Sequence, residues 1–379
     1  MMDAATLIDP APTPVAAPLW FVEFFKVLGF ALHAVPMNLW YAGVVVAMIL
    51  YATRGEHGRR FSGRLMAQMP VILAYGINLG IVPLLFVQVA YAKIFYPATT
   101  LMAWFWLAIL GLLIPAYYGV YFYSAALCDG GLSMNSLRRA VGWTAAAMLI
   151  GIGFLFVNGW SLMANVGAWP DIWQAHGSAA TVHGTGLNVG DHTFFPRWLM
   201  FFGLALTTTA AWVAVDAAWF ARRESPEYRR WATGLAWKLY TVGMVWFAVC
   251  GSWYLAHWPA EIRSEMLQWP LMVLTAATAL SPGLPLLLLL KAQRQSAGEP
   301  SRLAAAIVGL AQFGVLGINA VSRQIVQNLE IGRHFPVLEQ ATDVQWSPLV
   351  AFLAIFVLGL GVVAWMVAQV MKTDSTAGV

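Results

Sequence analysis

The chain has 379 residues, of which 60% are hydrophobic and only 10% charged, and its mean hydropathy is +0.69. A soluble domain carries roughly 25% charged residues, so the composition excludes a soluble globular protein and reads as an integral membrane protein. The net charge of +4 is modest, and the basic residues are scattered through short segments, which excludes a nucleic-acid-binding stripe.

Residues 1–18 contain no lysine or arginine and lack the n-region, h-region and cleavage site of a signal peptide. The first apolar span is therefore expected to act as its own uncleaved signal. A span needs about 20 mostly apolar residues to cross roughly 30 Å of hydrocarbon. Nine stretches qualify, at about residues 19–52, 66–92, 100–127, 140–164, 194–221, 235–257, 268–290, 303–322 and 347–371. The first begins at the interface, because Glu23 and Lys26 stand in its first turns, and Pro36 predicts a kink within it. No strand-like alternation competes, so the expected fold is all-α. It is a polytopic transmembrane helical bundle forming one domain over 19–371, between an outer tail (1–18) and an inner tail (372–379).

The loops predict the orientation. Fifteen of the 21 Lys and Arg residues fall in alternate loops or at their edges. These are Arg54, Arg59, Arg60 and Arg64; Arg138 and Arg139; Arg222, Arg223, Arg229, Arg230 and Lys238; Lys291, Arg294 and Arg302; and Lys372. The positive-inside rule then puts the N-terminus outside and the C-terminus inside. The two longest loops, 165–193 and 323–346, fall outside. Long polar loops either carry function or simply cap the bundle. No internal repeat, nucleotide-binding motif or CxxCH is present, so covalent c-type haem attachment is excluded on this chain.

Six of the seven histidines, all but His57, lie toward the arginine-poor side. His33 sits below the outer interface in FALHAVPMNLWYAG, with Met37 on the same face at i+4. His and Met both ligate haem iron, and an ionisable residue within a span is a functional candidate by default. The alternative is a neutral His33 bonded to a neighbouring helix. His192 opens the fifth span and His257 closes the sixth, at the same outer depth. Asp191 is expected to orient His192, and Glu261 to orient His257 if the helix persists past Pro259. Each is equally readable as an interfacial histidine in an aromatic belt. His176, His183 and His334 in the outer loops read as solvated. Arg323, Gln327 and Glu330 share a face at the outer end of the eighth span, where they suit a quinone carbonyl, a haem propionate or an interfacial helix. Asn78, Gln88, Asn158, Gln312 and Asn319 are expected to bridge helices, and Asp216 to pair with Arg222 or Arg223. The inner leaflet holds no histidine. The chain alone therefore cannot carry two bis-histidine haems across the membrane; it has room for one haem b near the outer surface, or none.

Three segments carry a resemblance: FALHAVPMNLWYAG, GINLGIVPLLFVQVAYAKIFYPATTLMAW and IPAYYGVYFYS. Over about residues 28–124 the chain resembles a group of bacterial polytopic membrane proteins associated with respiratory c-type cytochromes. The resemblance implies an inner-membrane electron-transfer subunit, quinol-oxidising, whose c-type cytochrome is a separate periplasmic partner. It assigns no catalytic residue.

The expected function is thus an electron-transfer subunit of a respiratory complex holding one outer-side haem b, a quinone, or both. Its cofactor-binding residues are His33, Met37, His192, His257, Arg323 and Glu330, with His33 and His257 as candidate iron ligands. The competing readings are a transporter or channel without redox cofactor, and a structural membrane anchor.

Overall fold

The computed structural model describes residues 14–128, 134–178, 181–295 and 301–376. Residues 1–13 of the expected outer tail and 377–379 of the expected inner tail lie outside them. Twelve helices follow in chain order: α1 Leu19–Thr53, α2 Gly55–Ala90, α3 Ala92–Leu101, α4 Ala103–Cys128, α5 Ser136–Ala164 and α6 Trp169–His176; then α7 Phe194–Phe220, α8 Pro226–Ala256, α9 Ala260–Met266, α10 Leu271–Arg294, α11 Arg302–Gly332 and α12 Trp346–Thr376. Nine of them among the described residues are long and apolar enough to cross a membrane, all but α3, α6 and α9. No strand forms among the described residues; two isolated bridges join Val15 to Thr342 and Gly177 to Val182. The chain is a multi-pass helical membrane protein in contact with a lipid bilayer.

Local chemistry sets the helix ends. The Asn135 side chain accepts a hydrogen bond from the Arg138 amide at the start of α5, and Ser225 accepts from Tyr228 at the start of α8, where Pro226 occupies the first turn. Two helices outrun the apolar pattern. α2 begins at Gly55, eleven residues before the expected span, because Glu56 and Arg60 pair at i,i+4 (2.6 Å) and Arg60 also donates to Glu224 (2.9 Å). α11 runs on through Gly332, so 323–332 is helix and the segment linking it to α12 is correspondingly shorter.

α1 is the central element. It packs against α2, α7 and α11 and is the most buried of the spans. Pro36 has no N–H to give the Leu32 carbonyl, and beyond it the helix widens into a π-turn at Leu39–Gly43, whose five residues are all buried. The side chains turned outward here enter notches on neighbouring helices. Trp40 occupies the space where a Cβ on Gly76 would stand, His33 that of Gly80, and Tyr41 that of Gly153. Small residues in membrane helices permit this kind of close packing.

α7 and α8 are the most extensively paired helices. They approach through Gly203 and Gly243: a Cβ on Gly243 would lie 2.8 Å from both the Leu206 Cβ and the Thr207 nitrogen. α12 is peripheral. It is held largely by Phe352 and Phe356, which pack on Phe25 at 5.0 and 5.4 Å, while most of its apolar length faces outward.

The Gly243 contact predicts that Gly243→Val destabilises the protein by about 1–3 kcal/mol, the usual cost of overpacking. Gly63→Ala, where a Cβ meets nothing within 4 Å, should be neutral or slightly stabilising. Thermal unfolding of both variants in detergent measures the difference.

Candidate functional site

Three of the four buried charged side chains among the described residues, Lys26, Arg197 and Glu330, lie at the arginine-poor end, where α1, α2, α5, α7 and α11 meet; the fourth, Asp216, lies at the other end. Three linked groups make up this region.

The first is built on α1. Lys26 is 2% exposed, and its ammonium donates to Glu23 at 2.6 Å and to the Tyr91 hydroxyl at 2.5 Å. Tyr91 stands at the break between α2 and α3, which points its ring into the bundle. Its hydroxyl donates to Asn328 Oδ1 and accepts from Gln324 Nε2 at 2.7 Å. Asn328 Nδ2 closes the ring by donating to Glu23 at 3.2 Å. The lysine is thus paired and solvated by protein groups, the condition under which a charge persists in low dielectric.

The second group joins α7 to α11. Arg197 donates through Nη2 to Glu330 at 2.6 Å and to Thr193 Oγ1 at 3.2 Å, and both members of the ion pair are buried. Its guanidinium lies over the Tyr254 ring, 5.1 Å from the centroid. Thr193 donates through its backbone and hydroxyl to Asp191, which also accepts from Ser161 at 2.6 Å. Asn188 extends the chain by donating to Ser161 Oγ (3.0 Å) and to Asn158 Oδ1 (2.8 Å). Several atoms in this group are buried with no hydrogen-bond partner: Arg197 Nε and Nη1, Glu330 Oε2, and both amide atoms of Gln327. Buried polar atoms are nearly always bonded, so these five atoms stand out from the rest of the bundle.

The third group is Arg323 with its rings. Its guanidinium lies 4.0 Å from the Phe30 centroid and 4.4 Å from that of Trp160, so aromatic faces from α1 and α5 grip it. It is half-buried and within electrostatic reach of His33, Lys26, Arg197 and Glu330. Phe30 also meets Phe201 of α7 at 6.2 Å. These half-buried rings pack around the cation.

His33 borders this region. Its Nδ1 lies 2.8 Å from the Gly76 carbonyl. A carbonyl only accepts, so in the neutral ring Nδ1 carries the proton and Nε2 the lone pair. The ring sits against Gly80 and edge-on to Trp40 at 5.8 Å. Met37 packs half-buried on the central core. His192 and His257 come together, ring centroids 6.1 Å apart, but both are exposed and stand apart from the α1–α2 contact that holds His33.

Several expected pairings differ. Asp191 is turned to Ser161 and Thr193, so it does not orient His192. α8 ends at Ala256, and His257 Nδ1 donates to the Trp253 carbonyl at 3.0 Å instead of meeting Glu261. Asp216 pairs with Arg64, which donates through Nε (2.8 Å) and Nη2 (2.7 Å), because α2 extends far enough to present Arg64 beside α7. Asn158 and Gln312 do bridge elements, whereas Asn78 and Asn319 bond carbonyls of their own helices. His176 and His183 share a loop contact through the His183 amide. Burial and neighbouring Arg333 hold the His334 imidazole below its ordinary range. Among the described residues, no group of three or more His, Cys, Asp or Glu is arranged to hold a metal ion.

Arg197, Lys26, Glu23 and Tyr91 were not among the expected site residues. The signal for Arg197 was its place in FFPRWLM, one cation at the mouth of an apolar span, since an ionisable group at membrane depth is functional by default. The fold and site together define a polytopic helical membrane protein with a charged polar site at one end of its bundle. No family model matches the chain, and no curated protein matches it.

Removing one member of a buried ion pair leaves the other uncompensated, at a cost of about 3–5 kcal/mol. Arg197→Met should therefore lower stability by that order. Arg197→Met combined with Glu330→Met should recover most of it, and unfolding of the three proteins in detergent reads the coupling directly.

Proposed function

We propose that the protein is a membrane electron-transfer subunit of a respiratory complex in the bacterial inner membrane. It would bind a quinol at the arginine-poor end of the bundle, facing the periplasm, and pass electrons to a periplasmic c-type cytochrome. The observation that carries this reading is Arg323, held between Phe30 and Trp160 in an apolar setting with its donors directed by rings, not taken up by a carboxylate. A flat aromatic headgroup stacks on such rings, and a guanidinium or the orphaned Gln327 amide donates to its oxygens.

Quinol oxidation releases two electrons and two protons. The electrons leave one at a time to the cytochrome. Two acceptors for the protons stand within electrostatic reach of Arg323: His33 Nε2, which carries a lone pair, and Glu330 Oε2, which has no hydrogen-bond partner. The resemblance of residues 28–124 to membrane proteins found with c-type cytochromes supports the same assignment. At most one haem b belongs to this reading, with His33 or His257 as its iron ligand. The seating of His33 against Gly80, with Nε2 3.4 Å from where a Cβ would stand, favours the quinone over a porphyrin. A transporter path through Asn158 and Gln312 has less support, because both amides are consumed in bonds between elements.

The purified protein should carry extractable quinone at close to one equivalent, and Arg323→Ala should lose it while keeping its fold. A reduced-minus-oxidised visible spectrum, repeated on His33→Ala, reports any haem. Protein that yields no quinone, and that fails to draw electrons from a short-chain quinol in the presence of a c-type cytochrome, sinks the proposal.

A further inference from the structure

His192 and His257 meet each other and share no hydrogen bond with Arg323, Gln327 or Glu330 of the proposed quinol site. We propose that this pair is a binding site for a borderline divalent cation of the Cu2+ or Zn2+ class, exposed at the arginine-poor end of the bundle.

The geometry is close to that of two imidazoles on one ion. With metal–nitrogen bonds of about 2.0 Å, and allowing for the size of the ring, two imidazoles sharing an ion place their centroids about 5–6 Å apart. The observed separation is 6.1 Å, with the planes tilted by 38°. A small side-chain rotation closes the difference.

Both residues stand on fixed backbone. His192 lies in the turn that opens α7, and the flanking Asp191 anchors that turn by accepting from Ser161 and from the Thr193 amide and hydroxyl. His257 caps α8. Its Nδ1–H donates to the Trp253 carbonyl, which fixes the tautomer and leaves Nε2 as the ligand nitrogen. α7 and α8 are themselves held together by the Gly203–Gly243 approach, so the backbones that carry the two imidazoles are brought side by side before any ion arrives. Imidazole selects Cu2+ and Zn2+ over Mg2+ or Ca2+, which prefer oxygen. Both rings are exposed, so an ion enters from solvent and completes its coordination with water or with a group from a partner.

The test uses the full chain in detergent, free of any polyhistidine tag, titrated with CuCl2 and, separately, ZnCl2. One equivalent of Cu2+ should bind, with two imidazole nitrogens in its electron paramagnetic resonance spectrum. His192→Gln and His257→Gln should each weaken binding at least about tenfold, the loss that even an outer-shell change brings. Binding should weaken progressively as the pH falls, because protons compete with the ion for the imidazole nitrogens. Unfolding curves of the two variants matching the wild type would confirm that folding is intact. Binding undiminished in the double variant, or a spectrum with one nitrogen or none, would overturn the proposal. Neither result bears on the quinol site, whose test reads extracted quinone.

Discussion

The Arg197–Glu330 pair is the interaction on which the arginine-poor end of this protein depends. It joins α7 to α11 across the bundle at 2.6 Å, with both partners almost wholly out of solvent. Removing two charges from water costs several kcal/mol each, and attraction returns that only with good geometry and further hydrogen bonds. Here the geometry is good and the bonding incomplete: one arginine nitrogen carries both contacts, to Glu330 and Thr193, while Nε and Nη1 carry none. Two tightly packed apolar residues would fasten the helices at lower cost. The pair fastens the helices while leaving bonding capacity on both partners unused.

What permits such a group to exist is the packing of α1. Its π-turn and the glycine notches on α2 and α5 seat Trp40, His33 and Tyr41, and the same helix contributes Phe30 to the Arg323 sandwich and Lys26 to the polar ring with Tyr91. Rigid apolar packing on one part of the helix thus supports charge on another. This is the division expected of a membrane site, where irregular or polar backbone and side chains are tolerated only where protein covers them.

Much of the architecture was legible in the sequence, because hydrocarbon thickness imposes a length on every span and a penalty on every charge. All nine spans follow from that constraint, and so does the interest of His33, Arg323 and Glu330. Helix ends were less legible where polar residues satisfy one another: GEHGRRFSGR reads as a loop by hydropathy, yet Glu56 and Arg60 hold it helical. Partnerships were least legible. Asp216 and Arg64 are 152 residues apart, Arg197 and Glu330 133, and no local pattern encodes which helices become neighbours. The convergence of His192 with His257, and the packing of His33 against α2, are facts of the same kind.

The two ends of the bundle use charge differently. At the arginine-rich end Arg64 grips Asp216 with two nitrogens, and Arg60 bridges Glu56 and Glu224. Those guanidinium–carboxylate contacts are the geometry of structural anchoring: buried Asp216 has both its oxygens bonded to Arg64. At the arginine-poor end Arg323 rests on rings and Arg197 is half-used, beside an amide and a carboxylate oxygen with no partner. More of the bonding capacity of the charged groups is left free there. Buried polar atoms without partners are rare in native structures, because each forfeits the hydrogen bond it gave up in water. Free donors and acceptors beside aromatic rings are the arrangement that would suit a ligand bearing oxygen atoms, which is the basis of the proposed quinol site.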